Sequence, residues 1–168
     1  MSWAEEQALR IRQNQEEEQK AREWQIHRSA LLTRDSRSLW DALGDRINSE
    51  IESLKKLVPN TEHLRVYPTH SNGLVIETVV QPIIKIQVTF DGSQGYVNAT
   101  VIRQRGFKFD QKTIGRFSID VDPYAGVTFN GADGRAESVQ HVTEAILGPL
   151  GDFFSGDRHP TVTCRVVG

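Results

Sequence analysis

The chain of 168 residues holds one cysteine, Cys164. A single thiol closes no internal disulfide and supplies no cysteine-based metal site. Long apolar runs are also missing, so no transmembrane helix is expected. Charge of one sign is missing as well. The 20 Lys and Arg nearly balance 22 Asp and Glu, for a net of −2. That balance excludes a broadly basic nucleic-acid coat and an acidic tail. The first 25 residues have no apolar core segment and do not read as a signal peptide. A cytoplasmic protein without a membrane partner is the expectation.

The familiar catalytic and nucleotide signatures are equally scarce. Neither Gly-x-x-x-x-Gly-Lys-Ser/Thr nor Gly-x-Gly-x-x-Gly occurs, so phosphate-cradling loops of the common kinds are absent. Neither Gly-x-Ser-x-Gly nor His-Glu-x-x-His occurs either. The five histidines, His27, His63, His70, His141 and His159, never stand two, three or four apart, so none forms a local metal pair. Cys164 sits in an alternating stretch and reads as a small apolar residue. The sequence points to no catalytic residue, no metal and no cofactor.

What is there divides near Pro59. Residues 1–58 contain no proline and one glycine, Gly44, whereas the rest holds all six prolines and twelve glycines (13 − 1). Glycine and proline punctuate turns, so the first third reads as helix and the remainder as strands. Trp40, Leu43, Ile47, Ile51, Leu54 and Val58 recur at spacings of three and four, the stripe of a helix packed on a sheet. Asp35, Ser36 and Ser38 offer caps before that helix. Residues 3–34 are polar and locally helix-supporting, with Glu16–Lys20 and Glu18–Arg22 in the favourable i,i+4 order. No heptad seam runs through Gln13–Glu23, so a sustained coiled coil is not expected.

Beyond Leu64 the apolar period becomes two. Ile84, Ile86, Val88 and Phe90, then Val97, Ala99 and Val101, then Phe117, Ile119 and Val121 alternate with polar residues. This is the pattern of an antiparallel sheet covered on one side. It predicts strands near 64–67, 74–80, 83–90, 95–105, 113–121 and 126–130, with short connections favouring a meander. A helix is expected from Arg135 to Leu147, capped near Asp133 and stopped by Gly148-Pro149. Thr161–Val167 reads as a final edge strand. The fold class is α+β: a long N-terminal helical segment and a six- to seven-stranded antiparallel meander with helices on one face, a two-layer sandwich. The domains are a polar helical extension over 1–34 and a single α+β domain over 35–168.

Three features bear on function. The segment 103–116 carries Arg103, Arg105, Lys108, Lys112 and Arg116 against one acid, Asp110, with Phe107 and Phe109 between them. Cations hold phosphates and aromatic faces stack on bases, so this is candidate anion or single-strand nucleic-acid chemistry. Over five residues, Arg105-Gly-Phe-Lys-Phe109 resembles the RNP1 motif of RNA-recognition modules. It departs where Lys108 replaces a small residue and where Asp110 and Lys112 follow. The β-α-β-β-α-β order of that family is also missing, and no membership follows. The alternative is a soluble hairpin tip whose phenylalanines tuck back.

Asp120, Asp122, Asp133 and His141 form a weaker set that suits a metal or acid–base pair, though turns and caps use the same residues. Trp3, Trp24, Leu31 and Leu32 stand in an otherwise polar helix, where large apolar side chains suggest a contact surface. The leading expectation is a non-catalytic interaction module that assembles through its N-terminal helix with a protein partner, a second copy included. The alternatives are anion or nucleic-acid binding by the hairpin, and an enzyme or small-ligand binder with a pocket between sheet and helices.

Overall fold

A computed structural model describes residues 2–156. The expected strand 161–167, with Cys164, lies outside the described residues, as does His159. Helix α1 spans Trp3–Leu57 and α2 spans Val139–Ser155. Between them run β1 (Leu64–Thr69), β2 (Gly73–Thr78), β3 (Ile83–Asp91), β4 (Tyr96–Arg105), β5 (Lys108–Asp122), β6 (Gly126–Asn130) and β7 (Ala136–Glu137). All seven strands form one antiparallel sheet in chain order, a curled meander. The fold is the expected α+β class.

The α1 start follows from Ser2, whose hydroxyl accepts from the Glu5 amide while the Glu5 carboxylate accepts from the Ser2 amide. This reciprocal capping satisfies two amides that helix geometry leaves open. With neither proline nor an interior glycine before Gly44, nothing interrupts the chain for forty residues. The expected break at Asp35–Ser38 is therefore corrected: 3–34 and 35–57 are one helix. Cap-forming side chains do not end a helix when both flanks favour it. Ser36 is buried on the body-facing side instead of opening a second helix.

The core lies between the sheet and the two helices. Trp40, Leu43, Ile47 and Ile51 of α1 meet Ile76, Ile84, Ile86, Val88 and Val97 of the sheet and Val142, Ile146 and Leu150 of α2. Trp40 stacks on Phe90, with centroids 5.5 Å apart and planes inclined by 11°. Each strand contributes alternate residues to this layer, as a sheet covered on one side requires.

Three boundaries differ from expectation. β2 ends at Thr78, leaving Val79 and Val80 in the connection that contains the cis Gln81–Pro82 peptide. α2 begins at Val139, capped by Ser138, and continues through Pro149 to Ser155. Its apolar stripe carries on past Pro149 to Leu150, 1% exposed, and that burial outweighs the local stop signal. Asp133 does not cap this helix; its carboxylate accepts from the Arg135 amide in the preceding turn. Finally, β5 starts at Lys108 rather than near 113, because Gly106 and Phe107 alone make the turn. Arg105 pairs with Lys108 across it, and Gly106 takes φ +60° at the first central position, the type II′ hairpin pattern.

Candidate functional site

The body holds α1 from Arg28 onward. Arg28 Nε donates to Asp120 Oδ1 at 2.7 Å, joining the helix to β5. That bond holds the Asp120 carboxyl below its usual range against partial burial, and it raises the guanidinium in turn. Leu32 packs on the core. Before Arg28, every residue from Ser2 to His27 except Gln7 is exposed. The arm 3–27 is thus about 37 Å of helix with no body beneath it, at 1.5 Å per residue.

The faces of this arm are unequal. Ile11 precedes Ile47 by 36 residues (47 − 11), ten whole turns at 3.6 residues per turn, so the two share one side of an ideal helix. On that side also fall Ala4, Gln7, Ala8, Asn14, Gln15, Gln25 and Ile26. Ten charged residues lie between Glu5 and Glu23, and eight of them point more than a right angle away from it. The other two are Glu18 and Arg22, which pair with each other at 3.2 Å. The side of α1 that packs on its body therefore continues along the arm, mixed in polarity and with no net charge.

The four expected contact residues divide on this geometry. Trp3, 77% exposed, stands at the margin of the stripe. Leu32 lies on the same side but is covered by its own body. Trp24, 42% exposed, and Leu31 lie on the opposite side, and the Trp24 ring sits 6.0 Å from that of His27. Sequence reading missed Ile11 and the alanines. Their signal was the phase they share with Ile47, which is visible only once the helix is known to be continuous.

The basic hairpin is likewise resolved by register. Arg103 faces Asp110, Arg105 faces Lys108 and Val101 faces Lys112. Cross-strand partners share a face, so Arg103, Arg105, Lys108 and Lys112 line one side of the hairpin. Phe109 faces Gln104 and thus stands on the other side. A β-bulge near Ala99 and Thr100 shifts the phase, and Arg116 pairs with Asn98. Its guanidinium lies over the Tyr96 ring at 3.8 Å, away from the other cations. Phe107, at the turn, is 103% exposed and Phe109 is 70% exposed, so neither tucks back on a helix. The expected interleaving of rings and cations becomes an aromatic tip, a cationic face and a phenylalanine on the reverse.

The acidic set does not converge. Asp120 is engaged by Arg28, Asp122 accepts from the Tyr124 and Ala125 amides, and Asp133 holds its own turn. His141 is 4.0 Å from Glu137 on the exposed start of α2. Among the described residues no three His, Cys, Asp or Glu side chains come together as a metal site. A shallow cavity of about 480 Å³ opens beside Asn72, Asp91, Ser93, Tyr96 and Asn98. Its one carboxylate, Asp91, accepts from the Ser93 hydroxyl and from the amides of Ser93 and Gln94, and these bonds lower its pKa. That group is spent on the turn. No helix of the described residues is long and apolar enough to cross a membrane. Comparison with models of protein families, with curated proteins and with solved structures finds no match.

Proposed function

We propose that this chain is a non-catalytic interaction module that pairs with a second copy of itself through the arm 3–27, the two arms lying antiparallel. One observation carries the reading: the body-packing side of α1 runs on along the arm uncovered and without net charge, with Ala4, Ala8, Ile11 and Ile26 as its apolar contacts. A helix stripe of this kind is normally buried against another element.

The phase of the stripe selects the antiparallel mate. The body sits on that stripe from Leu32 to Ile51. A parallel mate lying on the same side would drive its own α1 into that body. An antiparallel mate ends where the body begins. It brings Trp3 and Ala4 of one copy onto Ile26 of the other, and places the uncharged Asn14 and Gln15 near the two-fold axis. Such an isologous contact closes on itself as a dimer.

Light scattering after size exclusion tests the pairing in the full chain. The native protein is expected to have the mass of a dimer, and Ile11→Asp, which puts a charge in the middle of the stripe, that of a monomer. Equal masses for the two proteins would remove the arm as an assembly device.

A further inference from the structure

A second surface stands on observations independent of the arm. We infer that the sheet end carrying the β4–β5 hairpin docks on an anionic lipid surface, with Phe107 entering the headgroup–acyl boundary and cations meeting the phosphates.

The hairpin is built to project. Ile83, the first residue of β3, pairs with Gln104, so Arg105 to Lys108 extend past the neighbouring strand. On its other flank β5 gains a partner only from Ser118, where β6 begins to pair. Phe107 thus stands clear at the tip, fully exposed. The connection from β2 to β3 turns at this same sheet end and leaves Val79 and Val80 exposed at 42% and 48%. Solvent-facing apolar groups gathered at one end of a domain call for a partner.

Charge identifies the partner as anionic. Of the four cations on one hairpin face, only Lys112 has an acid within reach, Asp110 at 4.0 Å. Arg103, Arg105 and Lys108 have no ion pair within 4.0 Å among the described residues. Apolar groups set beside free cations are the combination that holds proteins at an anionic interface.

The same geometry disfavours a single nucleic-acid strand. Stacking platforms need rings and cations on one face. Here Phe109 stands on the reverse of the cationic face. Valines have nothing to offer a base or a phosphate, yet they partition into an acyl boundary.

The test is cosedimentation of the full chain with vesicles of phosphatidylcholine alone and of phosphatidylcholine with phosphatidylserine, beside anisotropy on a labelled single-stranded oligonucleotide. The protein is expected to bind the anionic vesicles, not the neutral ones, and to be released by salt. Phe107→Ser is expected to weaken vesicle binding roughly tenfold. Arg105→Gln with Lys108→Gln is expected to weaken it about thirtyfold. Both variants change exposed tip residues, and their circular dichroism is expected to match that of the native protein. Failure to bind anionic vesicles at low salt, or binding indifferent to Phe107, would overturn the inference. Tighter binding to the oligonucleotide than to vesicles would overturn it too, and assign the cations to nucleic acid.

Discussion

The two halves of α1 share one helix, one periodicity and one apolar phase, yet they live in different surroundings. From Ser36 to Ile51 the stripe is covered by sheet and α2, and Leu43, Ile47 and Ile51 are at most 1% exposed. From Trp3 to His27 the same stripe meets water, and Ile11 is 54% exposed. The covered half is richer in leucine, six against one; the free half has alanine, asparagine and glutamine on the same side. A surface of that composition is too polar for a permanent core. It is still much less charged than the reverse side of the arm. The contrast is the one expected between a domain interior and the proposed contact between folded chains.

The sharpest way to separate the halves is to truncate residues of equal phase. Ile47→Ala leaves a cavity in the core and is expected to cost about 2–5 kcal/mol in chemical denaturation. Ile11→Ala is expected to leave the unfolding of the body within about 0.5 kcal/mol while reducing the dimer fraction. A large loss of body stability from Ile11→Ala would mean that the arm folds back on its own domain.

Hydrogen exchange draws the same boundary along the backbone. In the monomeric Ile11→Asp protein, amides before Arg28 are expected to exchange far faster than those of Leu43–Ile51, because short-lived openings of an unsupported helix expose them. In the native protein, paired as proposed, protection is expected to extend toward Trp3. Equal protection along α1 in the monomer would erase the boundary.

The smallest effect concerns the junction itself. Asp120 is held below its usual pKa by Arg28, so the pair stabilises the fold above the carboxyl's unfolded pKa. That contribution fades as pH falls through the lower folded value. Both side chains remain more than a third exposed on average, at 34% and 38%, so screening limits the pair to ~1 kcal/mol or less. Asp120→Asn is expected to lower the melting temperature slightly at neutral pH and to match the native protein in strong acid. A gap that widens on acidification would refute that role for the pair.

Much of this architecture was legible in the residues. Alternation of Ile84, Ile86 and Val88 gave the strands their covered face, and short Gly-rich connections gave the meander. The errors came from reading local signals alone. Asp35, Ser36 and Ser38 looked like a cap, but capping oxygens end a helix only when something else breaks it. Pro149 looked like a stop, but the burial of Leu150 carried α2 beyond it. The candidate sites were less legible. A list of Arg, Lys and Phe in 103–116 does not say which share a face. Strand register and one bulge decide that, and they put Phe109 opposite the cations. Ile11 gained meaning only from its phase with a residue ten turns away.

The antiparallel pairing of arms is tested most directly by the distance between spin labels at one position in the two copies. With Cys164→Ser and Glu5→Cys, the label stands on the charged side of the arm and leaves the stripe intact. Antiparallel arms centred on Gln15 place the two labels about 30 Å apart along the axis, twice ten residues at 1.5 Å each. Parallel arms, with axes about 8–10 Å apart, would hold them within roughly 20 Å. A distribution centred near 30 Å is the predicted result; a short distance, or no distance between copies at all, would contradict it.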